Sequence, residues 1–342
     1  MNNNPFTSKL QSVFSAPITV YGNFALRADA SQHPNQQQTN NVFSEKWKKY
    51  DLSDEKERAY EFQRKWYLKL YGFENEEALR SHLMRCEVVL DAGCGLGYKA
   101  AWFARLSPKT LVIGMDFSDA AAQASRIYPD IPNLVFIQGD IAQTGFFANS
   151  VDYVNCDQVI MHTEDPEKTF RELCRVARTA GGQVACYFYA KKALPRELLD
   201  DHFRRKCKEL TRDELWTMSE QLTELGRRLK ELNCSFDAPE IPGLGIKGGK
   251  MDVQRFIYWN FLKCFWNPEL GRETSVVTNF DWYSPSNARR FSEKEVRNIV
   301  SANGMIETFF HTEEACFSGR FAHRIGENLT APIRFSVPCA TV

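Results

Sequence analysis

The sequence predicts an α/β fold: a Rossmann-like, mainly parallel seven-stranded sheet with helices on both faces. A helical insertion is expected between strands five and six. Three observations predict it. Between Glu87 and Ala190 short apolar runs alternate with helix-patterned stretches, as crossover connections between parallel strands require. The first run ends in an acid and a glycine-rich turn, Asp91-Ala92-Gly93-Cys94-Gly95-Leu96-Gly97. After a long helical interlude, the alternation resumes beyond Pro285.

The elements follow in order. Residues 1–41 are rich in Asn, Gln and Ser and read as a mobile N-terminal arm, with 31–41 as loop. Helical patterns over 43–71 and 75–84 make residues 42–86 a set of cap helices. Strands are expected at 88–91, 111–117, 134–138, 151–156 and 183–190. In the insertion, 191–285, Thr211 and Glu214 form a capping box. Leu215, Met218, Leu222, Leu225, Leu229 and Leu232 follow at helical spacing as one apolar seam. A helix over 251–265, carrying Phe256, Trp259, Phe261 and Phe265, is apolar nearly all round and should be buried. A Pro/Gly loop, 239–250, separates the two. A helix at 293–302 with Gly304 behind it and strands at 305–312 and 316–325 complete the α/β domain. That domain comprises 87–190 and 286–326, with a C-terminal tail at 327–342.

Composition narrows the function. Lys plus Arg and Asp plus Glu both number 43, so no basic footprint points to nucleic acid. No 18-residue apolar run spans a membrane. The ten cysteines form no C-x-x-C pair and the six histidines show no metal-ligand spacing. Reduced, buried thiols, a cytoplasmic location and no metal are expected.

The chemistry gathers at strand ends. Glycines after the first strand let the backbone turn tightly and approach a ligand, at the carboxyl end of the sheet where such folds bind ligands. Asp116 closes the second strand and can accept both hydroxyl protons of a ribose. Gly139-Asp140-Ile141 closes the third. There Asp140 suits an exocyclic amine and Ile141 an adenine face. Asp91 stands two residues before the first glycine, where it would repel a pyrophosphate but organise a cationic methionyl head. Tyr98 also occupies the place of the third glycine of a dinucleotide fingerprint. Together these favour S-adenosylmethionine over a nicotinamide dinucleotide. Gly243-Leu-Gly245-Ile-Lys-Gly248 matches that fingerprint but follows no strand and reads as loop.

With VVLDAGCGLG, VIGMDFS, FIQGDI and VDYVNCDQVIMHTEDPEKTFRELCRVARTAGG in view, the chain resembles class I S-adenosylmethionine-dependent methyltransferases of the ubiquinone-biosynthesis type. The resemblance covers about residues 87–190. It implies that Asp91, Gly93 and Gly95 hold the methionyl part, and that Asp116 and Phe117 hold the ribose and adenine. Asp140 and Ile141 would contact the adenine, and Asp157 and Gln158 would line the donor pocket. Gln38-Thr39 with Phe43 and Trp47 is similar to an arm that folds over the cofactor in some relatives.

His162, after strand four, is the candidate general base. Phe280, Trp282 and Tyr283 are the candidate acceptor-binding residues. The leading expectation is methylation of a small molecule, a natural-product or cofactor precursor. Protein or tRNA methylation, a nicotinamide-dependent oxidoreductase and a non-enzymatic cofactor-bound scaffold stay open as alternatives. The insertion is the candidate surface for a homodimer.

Overall fold

The computed structural model describes residues 6–15, 18–27, 33–51 and 53–324; the expected tail at 327–342 lies outside them. Its frame is a sheet of nine strands. In chain order these are β1 (Val20–Tyr21), β2 (Phe24–Leu26), β3 (Val88–Ala92), β4 (Leu111–Asp116), β5 (Leu134–Gln138), β6 (Tyr153–Cys156), β7 (Gln183–Tyr189), β10 (Met305–Thr312) and β11 (Cys316–His323). The sheet order is β1-β2-β5-β4-β3-β6-β7-β11-β10. Seven of these strands form the expected sheet. β3 to β7 run parallel, and β11 pairs antiparallel with both β7 and β10. The N-terminal hairpin β1–β2 extends it by pairing β2 parallel to β5.

β3 to β5 grow toward one edge of the sheet and β6 and β7 toward the other. The strand order therefore reverses at β3 and β6, and a crevice opens at their carboxyl ends. The strands are near-continuous apolar runs because both faces are covered; Val88 to Ala92 are all buried.

The N-terminal segment departs from the expected arm. A short helix, α1 (Thr7–Val13), and β2 bury Leu10, Val13, Phe14 and Ala25 against the main core. Residues 34–41, read as loop, open α2 (Pro34–Asp51), with Pro in its first turn. The long helical pattern that follows is two helices: α2 and α3 (Lys56–Leu70). α4 (Glu76–Leu83) starts at an Asn75 cap. Helices α5 (Tyr98–Leu106), α6 (Ala120–Ile127) and α7 (Pro166–Val176) follow β3, β4 and β6.

The insertion carries α8 (Leu194–Cys207), α9 (Arg212–Glu231), a hairpin of β8 (Ser235–Ala238) and β9 (Gly249–Asp252), α10 (Val253–Asn260) and α11 (Arg272–Tyr283). Gly243, Gly245 and Gly248 lie on the hairpin's connection, consistent with the loop reading. α12 (Glu293–Ala302) then leads into β10.

Two insertion helices differ from expectation. The capping box on α9 is present, but its buried line runs through Leu215, Trp216, Ser219, Thr223 and Gly226, while Leu225 and Leu232 are exposed. Small residues win the interior because the neighbouring chain comes so close. A Cβ on Gly226 would lie 2.3 Å from the Cys264 carbonyl oxygen, and Thr223 Oγ1 accepts from Asn279 Nδ2 at 2.8 Å. The helix expected over 251–265 stops at Asn260 and is only partly buried. Beyond it, the chain runs irregularly through Lys263 and Phe265, both of which line the central cavity.

Candidate active site

The crevice at the ends of β3 and β6 opens into a cavity of about 480 Å³, within the range of small-molecule sites. Asp91 is buried on its floor. One carboxylate oxygen accepts from Asn155 Nδ2 at 2.7 Å; the other has no hydrogen-bond partner. Burial pushes its pKa up to about 6, with Lys99 and the Asn155 bond holding it from rising further. A buried acceptor without a donor is costly, so this oxygen is poised for a cationic or N–H-bearing ligand.

Asp116 is the second anchor. One oxygen accepts from Gly95 N–H at 2.8 Å, the other from Ser118 N–H at 2.9 Å and Ser118 Oγ at 2.6 Å. Burial raises its pKa, opposed by those same bonds. It does not cap α6, whose N-cap is Asp119. Its bonds fix the carboxylate against the glycine turn and point it into the cavity. Gly93 and Gly95 have φ of +83° and +52°, a region that glycine enters without penalty. A Cβ on Gly95 would meet the Trp47 indole at 2.6 Å. Gly95 is thus covered by Trp47 and is the one expected cofactor residue that does not border the cavity.

Asp157 holds a buried ion pair with Lys99 and accepts from Tyr71 at 2.8 Å. Burial alone would lower the Lys99 pKa, but Asp157 more than reverses this and keeps it ionised. Gln158 sits at φ +64°, left-handed for a non-glycine residue, and its amide bridges Gln63 and Asp157. Such strain costs about 1–3 kcal/mol and concentrates at functional sites. Phe117, Asp140 and Ile141 border the same cavity, with Asp140 turned partly inward to bond Ala142 N–H.

α2 fastens this floor to the insertion. The Gln38 side chain donates to Ser284 O and accepts from Ser286 N–H. Thr39 accepts from Asn287 N–H, and Lys46 pairs with Asp281. On the other side Ser44 accepts from Asp119 N–H. Phe43 packs edge-on to His162 at 4.9 Å, and both it and Trp47 line the cavity.

His162 also faces the cavity. Its Nδ1 lies 2.8 Å from the Asn287 carbonyl, so it carries the proton and Nε2 is left as an acceptor. Burial lowers its pKa to about 4, despite Asp281 and the Asn287 bond. The ring is neutral at physiological pH.

The expected acceptor residues divide. Trp282 lines the cavity, whereas Phe280 and Tyr283 do not. Phe280 stacks on Trp216 at 3.7 Å, and Tyr283 accepts from Lys263 N–H at 3.2 Å. Helical geometry explains the correction: three residues apart, positions 280 and 283 share a face turned to the insertion core. Thr274, Val277, Thr278 and Asp281 share the opposite face with Trp282. Sequence reasoning missed Lys99, Lys192, Arg196 and Lys263. Lys263 did carry a signal, as a lone cation inside the aromatic run Phe261-Leu-Lys-Cys-Phe-Trp266.

Comparison with known proteins agrees with this geometry. The profile of a methyltransferase domain matches residues 85–241. A probable S-adenosylmethionine-dependent methyltransferase of Mycobacterium tuberculosis is 27% identical over 216 residues, 62% of this chain and 76% of that protein. Residues 85–241 thus match a methyltransferase domain, and the chain is similar to S-adenosylmethionine-dependent methyltransferases. An uncharacterised methyltransferase of Schizosaccharomyces pombe is 34% identical over 114 residues, 31% of this chain. A demethylmenaquinone methyltransferase of Listeria monocytogenes is 30% identical over 122 residues, 34% of this chain. The chain spans 41% of the length of the yeast protein and 51% of the Listeria one. The floor suits S-adenosylmethionine in one respect: Asp91 offers an unpartnered carboxylate oxygen to a cationic methionyl head.

Proposed function

We propose that the chain binds S-adenosylmethionine on the strand-end floor and transfers its methyl group to a small molecule held beneath the insertion. One observation carries the reading. A single cavity has strand-end carboxylates on one wall and the aromatic residues of the insertion on the other. The sulfonium of the cofactor supplies an activated methyl group. The protein's contribution is alignment of the two reactants, which removes much of the barrier, and exclusion of water. In this reading Asp91 holds the methionyl head and Asp116 the ribose. His162, neutral and with Nε2 free of its backbone bond, accepts a proton from an acceptor that carries one. α2 and the 191–285 insertion act as a lid, tied by Gln38 and Thr39 to the 284–287 segment.

The enclosure favours a small acceptor over a protein or tRNA. Among the described residues no helix is long and apolar enough to cross a membrane. Among the described residues nine cysteines are free, which fits a reducing, cytoplasmic setting. The test is incubation with S-adenosylmethionine labelled in its methyl group against pooled small metabolites, bulk tRNA and bulk protein. Label in the small-molecule fraction supports the reading. Label confined to tRNA or protein would overturn it.

A further inference from the structure

The inner wall of the insertion holds more positive charge than its own acids neutralise. The Trp282 indole has three cations over it: Lys263 Nζ at 4.3 Å, Arg204 at 5.2 Å and Arg196 at 5.3 Å. Arg196 is answered by Asp200, with Nε–Oδ2 at 2.8 Å. Among the described residues Arg204 bonds only the Pro285 carbonyl, at 3.3 Å, and its Nε and Nη2 are buried without hydrogen-bond partners. Lys263 is 6% exposed. Among the described residues no carboxylate forms an ion pair with it. Asp281 on that wall pairs with Lys46 through Oδ2 and leaves Oδ1 buried without a hydrogen-bond partner; with Asp200 it only partly offsets the burial of Lys263. The Trp282 Nε1–H is buried and unpartnered as well. Lys263 and Trp282 both border the cavity.

Burying a cation without a partner costs several kcal/mol, and cation–π contacts return only part of that. Burial and the neighbouring Arg196 accordingly depress the Lys263 pKa well below that of a free lysine. An anion placed against Lys263 would restore the balance. Acids dominate one wall and cations the other, with Asp281 the insertion's own acid at the cavity. Asp91, Asp116, Asp140 and Asp157 come from the strand ends; Lys192, Arg196 and Lys263 come from the insertion. The floor also has its own cation, Lys99, beside Asp157 and Asp91.

We propose that Lys263 and the Trp282 Nε1–H form an anion-binding subsite, and that the methyl acceptor is a planar, aromatic organic anion of the carboxylate type. This rests on the methyltransferase reading of the cavity and deepens it by naming the acceptor class. The aromatic body would lie among Tyr189, Tyr258, Trp259 and Phe265, which line the same wall. Its negative charge would meet Lys263, leaving the reactive atom toward the floor.

The experiment uses the full chain saturated with S-adenosylhomocysteine, whose binding is measured first. If S-adenosylhomocysteine does not bind, the methyltransferase reading fails and the subsite is judged from the ligand-free protein. Salicylate is then titrated against salicylamide, a neutral near-isostere, by calorimetry and by Trp fluorescence quenching. The expected result is binding of salicylate at least tenfold tighter than salicylamide. In Lys263→Met that preference should fall to within twofold, and Lys263→Arg should restore it. S-adenosylhomocysteine affinity should stay within twofold in both variants, which also shows that they are folded. Equal affinity for the two probes, or binding of neither, overturns the proposal. So does a preference unchanged in Lys263→Met. A tenfold loss of S-adenosylhomocysteine affinity in Lys263→Met would assign the cation to the cofactor's own carboxylate and overturn it too.

Discussion

Replacing Asp91 by Asn should stabilise the ligand-free protein and weaken cofactor binding together. The carboxylate is buried, and only one of its oxygens has a partner. Its pKa is raised from 3.8 to about 6, chiefly by burial. A native pKa above the unfolded one favours folding fully below pH 3.8, and the benefit is lost as pH rises through 6. At about pH 7.5 the group is ionised and the whole penalty is present. Two units correspond to roughly 3 kcal/mol. Asn keeps the acceptor for Asn155 and removes the charge. An unfolding entropy of about 2 cal/mol/K per residue makes each kcal/mol worth ~1.5 °C in a chain of this length. Ligand-free Asp91→Asn should therefore melt about 4–5 °C higher by scanning fluorimetry, and the gain should shrink at about pH 5. S-adenosylmethionine affinity should fall by roughly 10- to 150-fold, since a charged hydrogen bond of about 1.5–3 kcal/mol is lost. A variant that melts lower at pH 7.5 and keeps its Kd within twofold would refute the charge argument.

Three further outcomes are expected. Asp116→Ala removes the acceptor for the ribose and for Gly95 N–H, so cofactor binding should weaken by about 1.5–3 kcal/mol in calorimetry; a loss below about 0.5 kcal/mol would leave Asp116 a turn residue only. His162→Gln should lower kcat by roughly 10²-fold or more with little change in cofactor Kd; the wild-type acidic limb should lie near pH 4, where this buried imidazole titrates, and an identical profile in the variant would make the ring structural. Gln38→Ala cuts two bonds between α2 and the 284–286 segment, so hydrogen exchange in residues 36–47 should rise in the ligand-free protein and fall again with S-adenosylhomocysteine; protection that ignores both changes would refute the lid.

The sheet was legible because its strands are short apolar runs ended by acids or glycines, and the floor of the site sits at those ends. Asp91, Asp116, Asp140 and Ile141 could be placed from the strand pattern, and Asp157 from the family resemblance. The insertion was harder to read, because its packing partners are far away in sequence. Leu225 and Leu232 fit an apolar seam, but the close approach of Cys264 to Gly226 gives the interior to Ser219 and Thr223. Phe280 and Tyr283 looked like pocket aromatics until the helical phase of α11 turned them inward. The N-terminal arm was misjudged because polar composition reports exposure and says little about tethering. Gln36, Gln38 and Thr39 are polar and bond to chain more than 120 residues away. The charge on the insertion wall was hidden for a related reason: a net charge of zero conceals local segregation between two walls.

The most direct test of the central claim is calorimetric titration of the wild-type chain with S-adenosylmethionine, S-adenosylhomocysteine, NAD and NADP. A site built on an unpartnered Asp91 oxygen should take both S-adenosyl ligands at one site per chain, with micromolar or tighter Kd. It should take neither dinucleotide, whose pyrophosphate Asp91 would repel. Both S-adenosyl titrations should weaken at least tenfold in Asp91→Asn. Binding of NAD or NADP with equal or higher affinity, or S-adenosyl binding indifferent to Asp91, would contradict the account.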